Sequence, residues 1–195
     1  MDDPSASAGF PARPTLPKGP EGGVLRTARL ELRPARADDV DVYTRLWTDP
    51  DVRRFLGGPV GSHRLRLRQE RFDSRPHVFS VTTGERDEVI GTVSVDVSER
   101  RAGSWEVAYS FLPEHWGHGY GREAVGALVR WVLEAAPERD ASLIAVTQEA
   151  NARSRQMLEA VGMRLQDRFV EFGAPQVLYV IEHGDRPPPA WSGEG

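Results

Sequence analysis

The sequence contains no cysteine among its 195 residues. Disulfide bonds, thiolate zinc sites and a cysteine nucleophile are therefore excluded, and the composition fits a reducing cytoplasm. No apolar run is long enough to cross a bilayer, because the longest, near residues 124–133, is interrupted by Arg130. Residues 1–9 are small and acidic and lack the pattern of a signal peptide. We therefore expect a cytoplasmic protein without a membrane anchor.

A strong charge of either sign is absent too. The 25 basic and 29 acidic side chains leave a net charge of −4, which creates no general basic field. Nucleic acid and membrane lipid are therefore not expected as partners. Apolar residues make up 39% of the chain, which is enough to bury the core of one soluble domain.

The two ends of the chain have few large apolar side chains. Residues 1–23 are rich in Pro, Gly, Ala and Ser, and residues 184–195 contain three consecutive prolines. Both segments are expected to be disordered tails, because they cannot bury enough apolar surface to offset the entropy of ordering. Residues 24–183 are expected to form one domain.

The apolar pattern of this domain predicts the element order β-α-α-β-β-β-α-β-α-β-β. This order predicts an α/β protein of the α+β kind, with one mixed sheet and helices on its faces. The first helix is expected to end at Asp49-Pro50. The strands are expected at 29–33, 78–82, 89–97, 105–111, 143–147, 163–172 and 176–183, and the helices at about 40–47, 63–72, 121–135 and 151–161.

The clearest local motif is the segment WGHGYGR at residues 116–122, between a predicted strand and a predicted helix. Amide groups at a helix N-terminus have no intrahelical partner, and the helix dipole favours an anion there. Alternating glycines let the backbone approach a ligand closely, so the segment suits a pyrophosphate, with Arg122 as an additional cation.

Two other interpretations of this segment stay open. Gly119, Gly121 and Ala124 also fit the G-x-G-x-x-G/A fingerprint of dinucleotide-binding domains. That fingerprint belongs to the first strand of a parallel unit, whereas hairpins precede it here, and the next strand ends without an acidic residue. The second alternative is a glycine-rich turn that binds nothing.

The segment resembles the motif Q/R-x-x-G-x-G/A with which GNAT acetyltransferases bind the pyrophosphate of CoA. Trp116 replaces Gln or Arg, as is usual in the RimJ/RimL-like branch, whose motif is similar to W-G-x-G-Y-A-x-E-A. Residues 25–34 and 49–52 resemble the opening of that branch, and the N-x-x-S pattern beginning at Asn151 resembles a later motif. The chain is therefore identified as a member of this superfamily over its whole folded part.

The resemblance implies the GNAT fold, a single mixed, largely antiparallel sheet of six to seven strands with helices on both faces. It implies transfer of an acetyl group from acetyl-CoA to a primary amine by direct attack in a ternary complex, without a metal. The branch suggests a protein or peptide N-terminus as the acceptor. A small-molecule acceptor (antibiotic, polyamine or amino acid) and a non-catalytic acyl-CoA sensor or interaction module stay open. Many relatives are dimers, so a homodimer stays open as well.

The resemblance also implies where CoA lies. The strand at 105–111 should bulge and splay from the strand at 143–147, with the pantetheine arm in the gap and an amide near Ser110 facing the thioester oxygen. Asn151 is either a helix N-cap or a partner of a pantetheine amide. The full set of predicted cofactor-binding residues is Phe111, Leu112, Gly117, His118, Gly119, Tyr120, Gly121, Arg122 and Asn151.

Three residues are candidates for proton transfer. An ammonium group cannot attack a thioester, so a base must accept its proton. Glu106 shares a strand face with two small residues, which leaves room beside it, and Glu171 resembles in position a glutamate proposed as the base in the branch. Ser154 would stabilise or protonate the departing thiolate. The alternative interpretation is that both carboxylates and the Ser154 hydroxyl face solvent and take no part in proton transfer.

Two groups of basic side chains have simpler interpretations. His115 and His118 lie three residues apart without a third ligand nearby, so they are expected to be loop residues and not a metal site. The arginines at positions 64, 66, 68 and 71 are typical of a solvated face. Because this segment borders the acceptor cleft in GNAT proteins, an acceptor that carries a carboxylate stays open.

Overall fold

The structure, a computed structural model, describes residues 20, 23–70, 72, 77–84, 87–135 and 142–185. The predicted tails, residues 1–23 and 184–195, lie almost wholly outside these residues and stay a prediction. The strands are β1 (Leu25–Arg26), β2 (Leu30–Pro34), β3 (Val78–Thr83), β4 (Glu88–Val97), β5 (Ser104–Phe111), β6 (Ser142–Gln148), β7 (Arg164–Glu171) and β8 (Ala174–Glu182). The helices are α1 (Val40–Thr48), α2 (Pro50–Arg53), α3 (Ser62–Glu70), α4 (Tyr120–Ala135) and α5 (Ala152–Ala160).

All eight strands form one sheet in the order β1-β2-β3-β4-β5-β6-β8-β7. Neighbouring strands are antiparallel except for β5 and β6, which are parallel. The predicted mixed sheet is confirmed, with one more strand than expected. The additional strand is β1, which has two residues and pairs with Glu31 and Leu32 of β2. So short a segment cannot show an alternating pattern.

The short helix α2 is also absent from the sequence-based expectation. Asp49-Pro50 was expected only to end the first helix, and α1 does end at Thr48. The Asp49 carboxylate, however, accepts the N–H groups of Asp51 and Val52 at 2.9 and 3.1 Å, and Pro50 occupies the first helical position. The same pair of residues therefore starts a new helix, because a carboxylate cap and an N-terminal proline both favour helix initiation.

Helices cover both faces of the sheet. The Tyr43 hydroxyl of α1 lies 3.2 Å from the hydroxyl groups of Ser80 and Thr92, which places α1 on the face that carries those residues. On the opposite face, Trp131 of α4 packs edge-on against Phe79, and α5 lies beside α4. Since side chains alternate along a strand, each strand directs one set of residues to the sheet face that carries α1 and the other set to the face that carries α4.

A buried ion pair holds α1 on its face. Arg33 of β2 donates from both terminal nitrogens to the two oxygens of Asp39, at 2.7 and 2.9 Å, and Ser80 donates to the same carboxylate at 2.7 Å. Burial alone would raise the pKa of Asp39, but hydrogen bonds from Arg33, the Arg36 amide and Ser80 outweigh it and leave that pKa below its ordinary value. Asp39 is therefore charged at neutral pH and fixes the start of α1.

Gly91 lets β4 and the end of β5 approach each other closely. A Cβ atom at this position would lie 2.4 Å from the Phe111 ring and 2.6 Å from the carbonyl oxygen of Ser110. Gly91 is opposite Phe111 in the antiparallel register. The absence of a side chain at position 91 therefore sets the position of the Phe111 ring.

We expect Gly91→Ala to lower the free energy of unfolding by about 1–3 kcal/mol, because the new methyl group must displace backbone and ring atoms. Gly126→Ala is the matched control. Gly126 lies in the interior of α4, and its new Cβ atom would make an ordinary contact with Val161 at 3.7 Å. Because alanine favours a helix more than glycine does, this change should be neutral or stabilising by up to about 1 kcal/mol. Denaturant unfolding measures both. Equal stability of the Gly91 variant and the parent would contradict the argument.

Candidate active site

A gap opens in the sheet where β5 and β6 diverge. The two strands pair only over Ser104–Glu106 and Ser142–Ile144. Beyond these pairs, β5 continues along β4 to Phe111, while β6 continues along β8 to Gln148. The predicted splay of these strands is therefore present. The predicted bulge in β5 is wrong, because its register with β4 runs without a shift along the strand.

Two hydrogen bonds fix which backbone groups of β5 face β4. The Leu112 amide donates to the Ile90 carbonyl at 3.0 Å, and the Ser98 amide donates to the Ser104 carbonyl at 2.9 Å. Bonded and non-bonded pairs alternate along an antiparallel ladder, and both of these pairs have even-numbered partners. The backbone groups of even-numbered β5 residues therefore point to β4, and those of odd-numbered residues point to the β6 side.

The odd-numbered residues Val107, Tyr109 and Phe111 consequently present their backbone N–H and C=O groups to the gap. The Ser110 amide points towards β4, so the amides nearest to it that face the gap are those of Tyr109 and Phe111. One group is already used, because the Trp116 indole nitrogen donates to the Phe111 carbonyl at 2.8 Å. The gap is thus lined by polar backbone groups along one edge.

The glycine segment turns the chain from the end of β5 into α4. Gly117 and Gly119 have φ values of 83° and 77°, a left-handed conformation that glycine adopts without strain. A Cβ atom at Gly121 would lie 3.5 Å from the Phe111 ring. The Arg153 guanidinium lies over the Trp116 ring at 4.2 Å. The segment therefore brings the N-terminus of α4 to the mouth of the gap, beside a cation.

Glu123 fastens the first turn of α4 to the start of the domain. Its buried carboxylate accepts hydrogen bonds from the Thr27 hydroxyl at 2.6 Å and from the backbone and side chain of Arg29 at 3.0 and 2.8 Å. The Arg29 guanidinium also lies 4.8 Å from the centre of the Tyr120 ring. The position of the glycine segment thus depends on contacts almost a hundred residues apart in the sequence.

Tyr109 and Ser154 form a hydroxyl pair on the α4 face of β5. Their oxygen atoms are 2.5 Å apart, and the Ser154 side chain is buried. Burial raises the pKa of Tyr109 to about 12, against a smaller lowering effect of the hydrogen bond with Ser154. The phenol is therefore protonated at neutral pH. The sequence does not reveal this pair, because Tyr109 lies on a strand and Ser154 lies on a helix 45 positions later.

Glu106 and Glu171 share one arginine, which sequence reasoning did not single out. Arg100, in the β4–β5 turn, lies 3.5 Å from a Glu106 oxygen and 2.9 Å from a Glu171 oxygen. The hydrogen bond to Glu171 and the charge of Glu106 raise the pKa of Arg100 despite its partial burial. Ser98 also donates to Glu106 at 3.3 Å. The two predicted bases are thus one cluster with a single net negative charge.

A cavity of about 1220 Å³ connects these features. Leu112 and His118 do not line it. Leu112 is buried against Leu46 and Val52, and His118 is exposed and stacked on the Tyr120 ring. The other predicted site residues all line the cavity, namely Glu106, Phe111, Gly117, Gly119, Tyr120, Gly121, Arg122, Asn151, Ser154 and Glu171.

The remaining predictions have simpler outcomes. Asn151 is the N-cap of α5, and its side-chain oxygen accepts the Ser154 amide at 3.2 Å. His115 belongs to a single helical turn, with its ring nitrogen 3.9 Å from Glu88. Within the described ranges, no group of three or more His, Asp and Glu side chains is arranged to hold a metal ion. Across the same ranges, every helix is too short or too polar to span a membrane.

Known proteins share this architecture. An acetyltransferase (GNAT) domain model matches residues 29–164, which is more than half of the chain. The chain therefore belongs to the GNAT acetyltransferase family, and the predicted superfamily and class of enzyme are confirmed. The RimJ/RimL-like branch stays a prediction.

Individual relatives are distant. The uncharacterized N-acetyltransferase p20 of Bacillus licheniformis is 31% identical over 112 residues, which are 54% of this chain and 63% of that protein. The match thus spans less than two thirds of the relative's length.

Two solved structures show the same fold. A GNAT-family acetyltransferase from Bacillus anthracis superposes with a TM-score of 0.73 at 19% identity, covering 83% of this chain and 99% of that one. Aminoglycoside acetyltransferase AAC(6')-Ib, solved in complex with coenzyme A, superposes with a TM-score of 0.63 at 18% identity, covering 78% and 94%. At these identities the likeness concerns the fold alone.

Proposed function

We propose that this protein transfers the acetyl group of acetyl-CoA to a primary amine, and that the acceptor is a peptide or protein N-terminus in the cytoplasm. The observation that carries the proposal is the gap between β5 and β6, which opens onto the glycine segment at the start of α4. Family membership and the coenzyme A complex of the structurally similar AAC(6')-Ib support the choice of donor.

The glycine segment suits the pyrophosphate of acetyl-CoA. The first amides of α4 have no partner within the helix, and the helix dipole attracts an anion to them. Arg122 lies in this first turn, and Arg153 lies above Trp116 at its edge. The pantetheine arm carries two amides of its own, which can pair with the backbone groups of Val107 and Tyr109 that face the gap. Asn151, at the far wall, has its amide nitrogen available for the same arm.

In this proposal the base and the acid act from opposite sides of the thioester, and strand alternation supports that arrangement. Glu106 lies on the α1 face of β5, whereas Tyr109 and Ser154 meet on the α4 face. In the proposed reaction, the amine attacks the thioester carbonyl and Glu106 accepts its proton, directly or through water. A gap-facing amide of β5 stabilises the oxyanion. The C–S bond then breaks, and the thiolate takes the proton of the Ser154 hydroxyl. Ser154 regains a proton from the Tyr109 hydroxyl, and Tyr109 regains one from water in the cavity.

Glu171 is the alternative base in this proposal. Both carboxylates line the cavity and bind Arg100, so the difference between them is one of position. Glu106 belongs to the strand that borders the gap, whereas Glu171 ends the edge strand β7. We assign the base to Glu106 because it is nearer in the chain to the groups that hold the thioester.

An α-amino group suits a carboxylate base better than a lysine side chain does. Its unperturbed pKa is about 8, against about 10.4 for lysine, so removal of its proton costs less. The resemblance of residues 25–34 and 151–163 to the RimJ/RimL-like branch supports a protein N-terminus in particular.

Gly119→Glu should abolish binding of acetyl-CoA, because the new side chain adds a like charge and a Cβ atom where the backbone must meet the pyrophosphate. Gly103→Glu is the matched control. Gly103 has the same φ of 77° and lies in the β4–β5 turn, outside the cavity wall. Calorimetry with acetyl-CoA measures both variants. Parental affinity in the Gly119 variant would show that the segment does not bind the pyrophosphate.

Glu106→Gln should lower kcat by roughly ten- to a thousandfold at neutral pH, because the amide cannot accept the proton of the amine. The affinity for acetyl-CoA should be almost unchanged. Steady-state rates at saturating acceptor measure the first effect, and calorimetry measures the second.

Asp96→Asn is the control for this change. Asp96 pairs with Glu106 in the β4–β5 register, but it is exposed and lies outside the cavity wall, so kcat should be retained. Ser154→Ala should slow departure of the thiolate without weakening acetyl-CoA binding. Parental rates from both Glu106→Gln and Ser154→Ala would move the proton path to Glu171 or to a chain of water molecules.

A thiol-release assay with acetyl-CoA tests the function itself. The acceptors are N-terminal peptides, free amino acids, polyamines and aminoglycosides, and peptides should give the highest kcat/KM. Turnover of an aminoglycoside with none on any peptide would reject the peptide acceptor. Tight acetyl-CoA binding without turnover on any acceptor would reject the enzymatic role in favour of a sensor.

A further inference from the structure

The cavity wall between α2 and α3 is rich in arginine. This segment contributes four guanidinium groups to the lining and a single carboxylate, that of Asp51. We call the four side chains the arginine wall, which consists of Arg53, Arg54, Arg64 and Arg68. Arg66 lies on the same helix as Arg64 but not in the wall, and Arg71 lies outside the described residues.

Three of the four guanidinium groups have no acid close enough to neutralise them in the part of the chain that the structure describes. Within the described parts of the chain, no carboxylate lies at ion-pair distance from Arg53, Arg54 or Arg64. The Arg54 guanidinium lies 5.4 Å from the Phe55 ring, a contact that leaves its charge in place. A concave wall with charge of one sign concentrates ions of the opposite sign.

Arg53 is held in position for binding. Its guanidinium donates to the carbonyls of Gly58 and Leu56 at 3.0 and 2.5 Å, which fixes the side chain while other N–H groups remain. Burial, together with the charge of Arg68, lowers the pKa of Arg53. Arg53 therefore presents fixed N–H groups at the cavity wall.

The wall lies on the same face of the sheet as Glu106. Thr92, which contacts α1 through Tyr43, pairs with Ser110 of β5, and Ser110 shares its face with Glu106. α2 and α3 both pack against α1. The carboxylate cluster and the arginine wall therefore line the same side of the cavity.

We propose that the acceptor carries a carboxylate close to its amine, and that Arg64 and Arg53 bind this carboxylate while the amine faces Glu106. The proposal rests on the proposed function and narrows its substrate class. The α-carboxylate of an amino acid and an acidic side chain near a peptide N-terminus supply the same chemistry. Polycationic acceptors would be repelled by the same wall.

Matched acceptors test the proposal. One pair is serine and serinamide, and the other is the peptide amides Ser-Asp-Glu and Ser-Asn-Gln. The charged member of at least one pair should have a kcat/KM about tenfold or more above that of its neutral partner. The reason is that a hydrogen bond to a charged group contributes more binding energy than one between neutral groups. The pair that shows the difference identifies the source of the carboxylate. Equal values within both pairs would overturn the proposal.

Arg64→Gln should raise KM for the charged acceptor about tenfold, with kcat and the KM of the neutral acceptor almost unchanged. Arg66→Gln removes the same charge from the same helix outside the cavity wall and should leave all these values at the parental level. Both variants should bind acetyl-CoA like the parent. Weaker acetyl-CoA binding with an unchanged acceptor KM would show that the wall serves a CoA phosphate, and would overturn the proposal.

A binding measurement separates this proposal from the proposed function. The N-acetylated forms of the two peptides mimic the product and need no turnover. Calorimetry in the presence of CoA should show tighter binding of the acidic form, and Arg64→Gln should remove that preference. If no amine is acetylated but this preference is found, the proposed function fails and the anion site stands. If acetylation occurs without the preference, the anion site fails alone.

Discussion

The divergence of β5 from β6 is the constraint on which the rest of the site depends. Backbone N–H and C=O groups are obligatory hydrogen-bonding groups, and a continuous sheet would pair them all. Here the pairing of the two strands ends at Glu106 and Ile144, and each strand then follows its other neighbour. The interior of the sheet thereby presents a row of polar backbone groups to a cavity. An extended ligand with amides of its own, such as a pantetheine arm, satisfies such groups better than water alone.

Two contacts hold the glycine segment at the end of the gap between β5 and β6. In the proposed function this position is required, because the pantetheine arm and the pyrophosphate belong to one ligand. The Trp116 indole binds the Phe111 carbonyl, which ties the segment to the last residue of β5. Glu123, buried at the start of α4, binds Thr27 and Arg29 on the opposite side. The tryptophan that departs from the usual Gln or Arg of the motif is therefore part of the loop's anchorage, and Arg153 above its ring supplies the cation at this place.

The elements that the sequence predicts well are those encoded by local pattern. The strand alternation at 105–111 and the glycine segment are visible within a few residues, and the structure has both. The sequence does not predict β1 and α2, because segments of two and four residues are too short to show a hydrophobic period. The contact of Arg100 is not predictable for another reason. Arg100 lies in a turn without a hydrophobic pattern, and its partner Glu171 is 71 positions away in the sequence. Tyr109 looks like a core residue of its strand, and its hydroxyl pair with Ser154 is a contact across 45 positions that a local pattern cannot show.

In the proposed reaction, the charges around Glu106 would favour both binding of the amine and release of the product. Glu106 and Glu171 without Arg100 would repel each other, whereas the three side chains together carry one net negative charge. One such charge matches one ammonium group, and strand alternation keeps it on the side of β5 away from the Tyr109–Ser154 pair. Acetylation of an amine yields a neutral amide, so the product of the proposed reaction would lose its attraction to the carboxylates as soon as it forms. A cluster that attracts the proposed acceptor would therefore not retain its product.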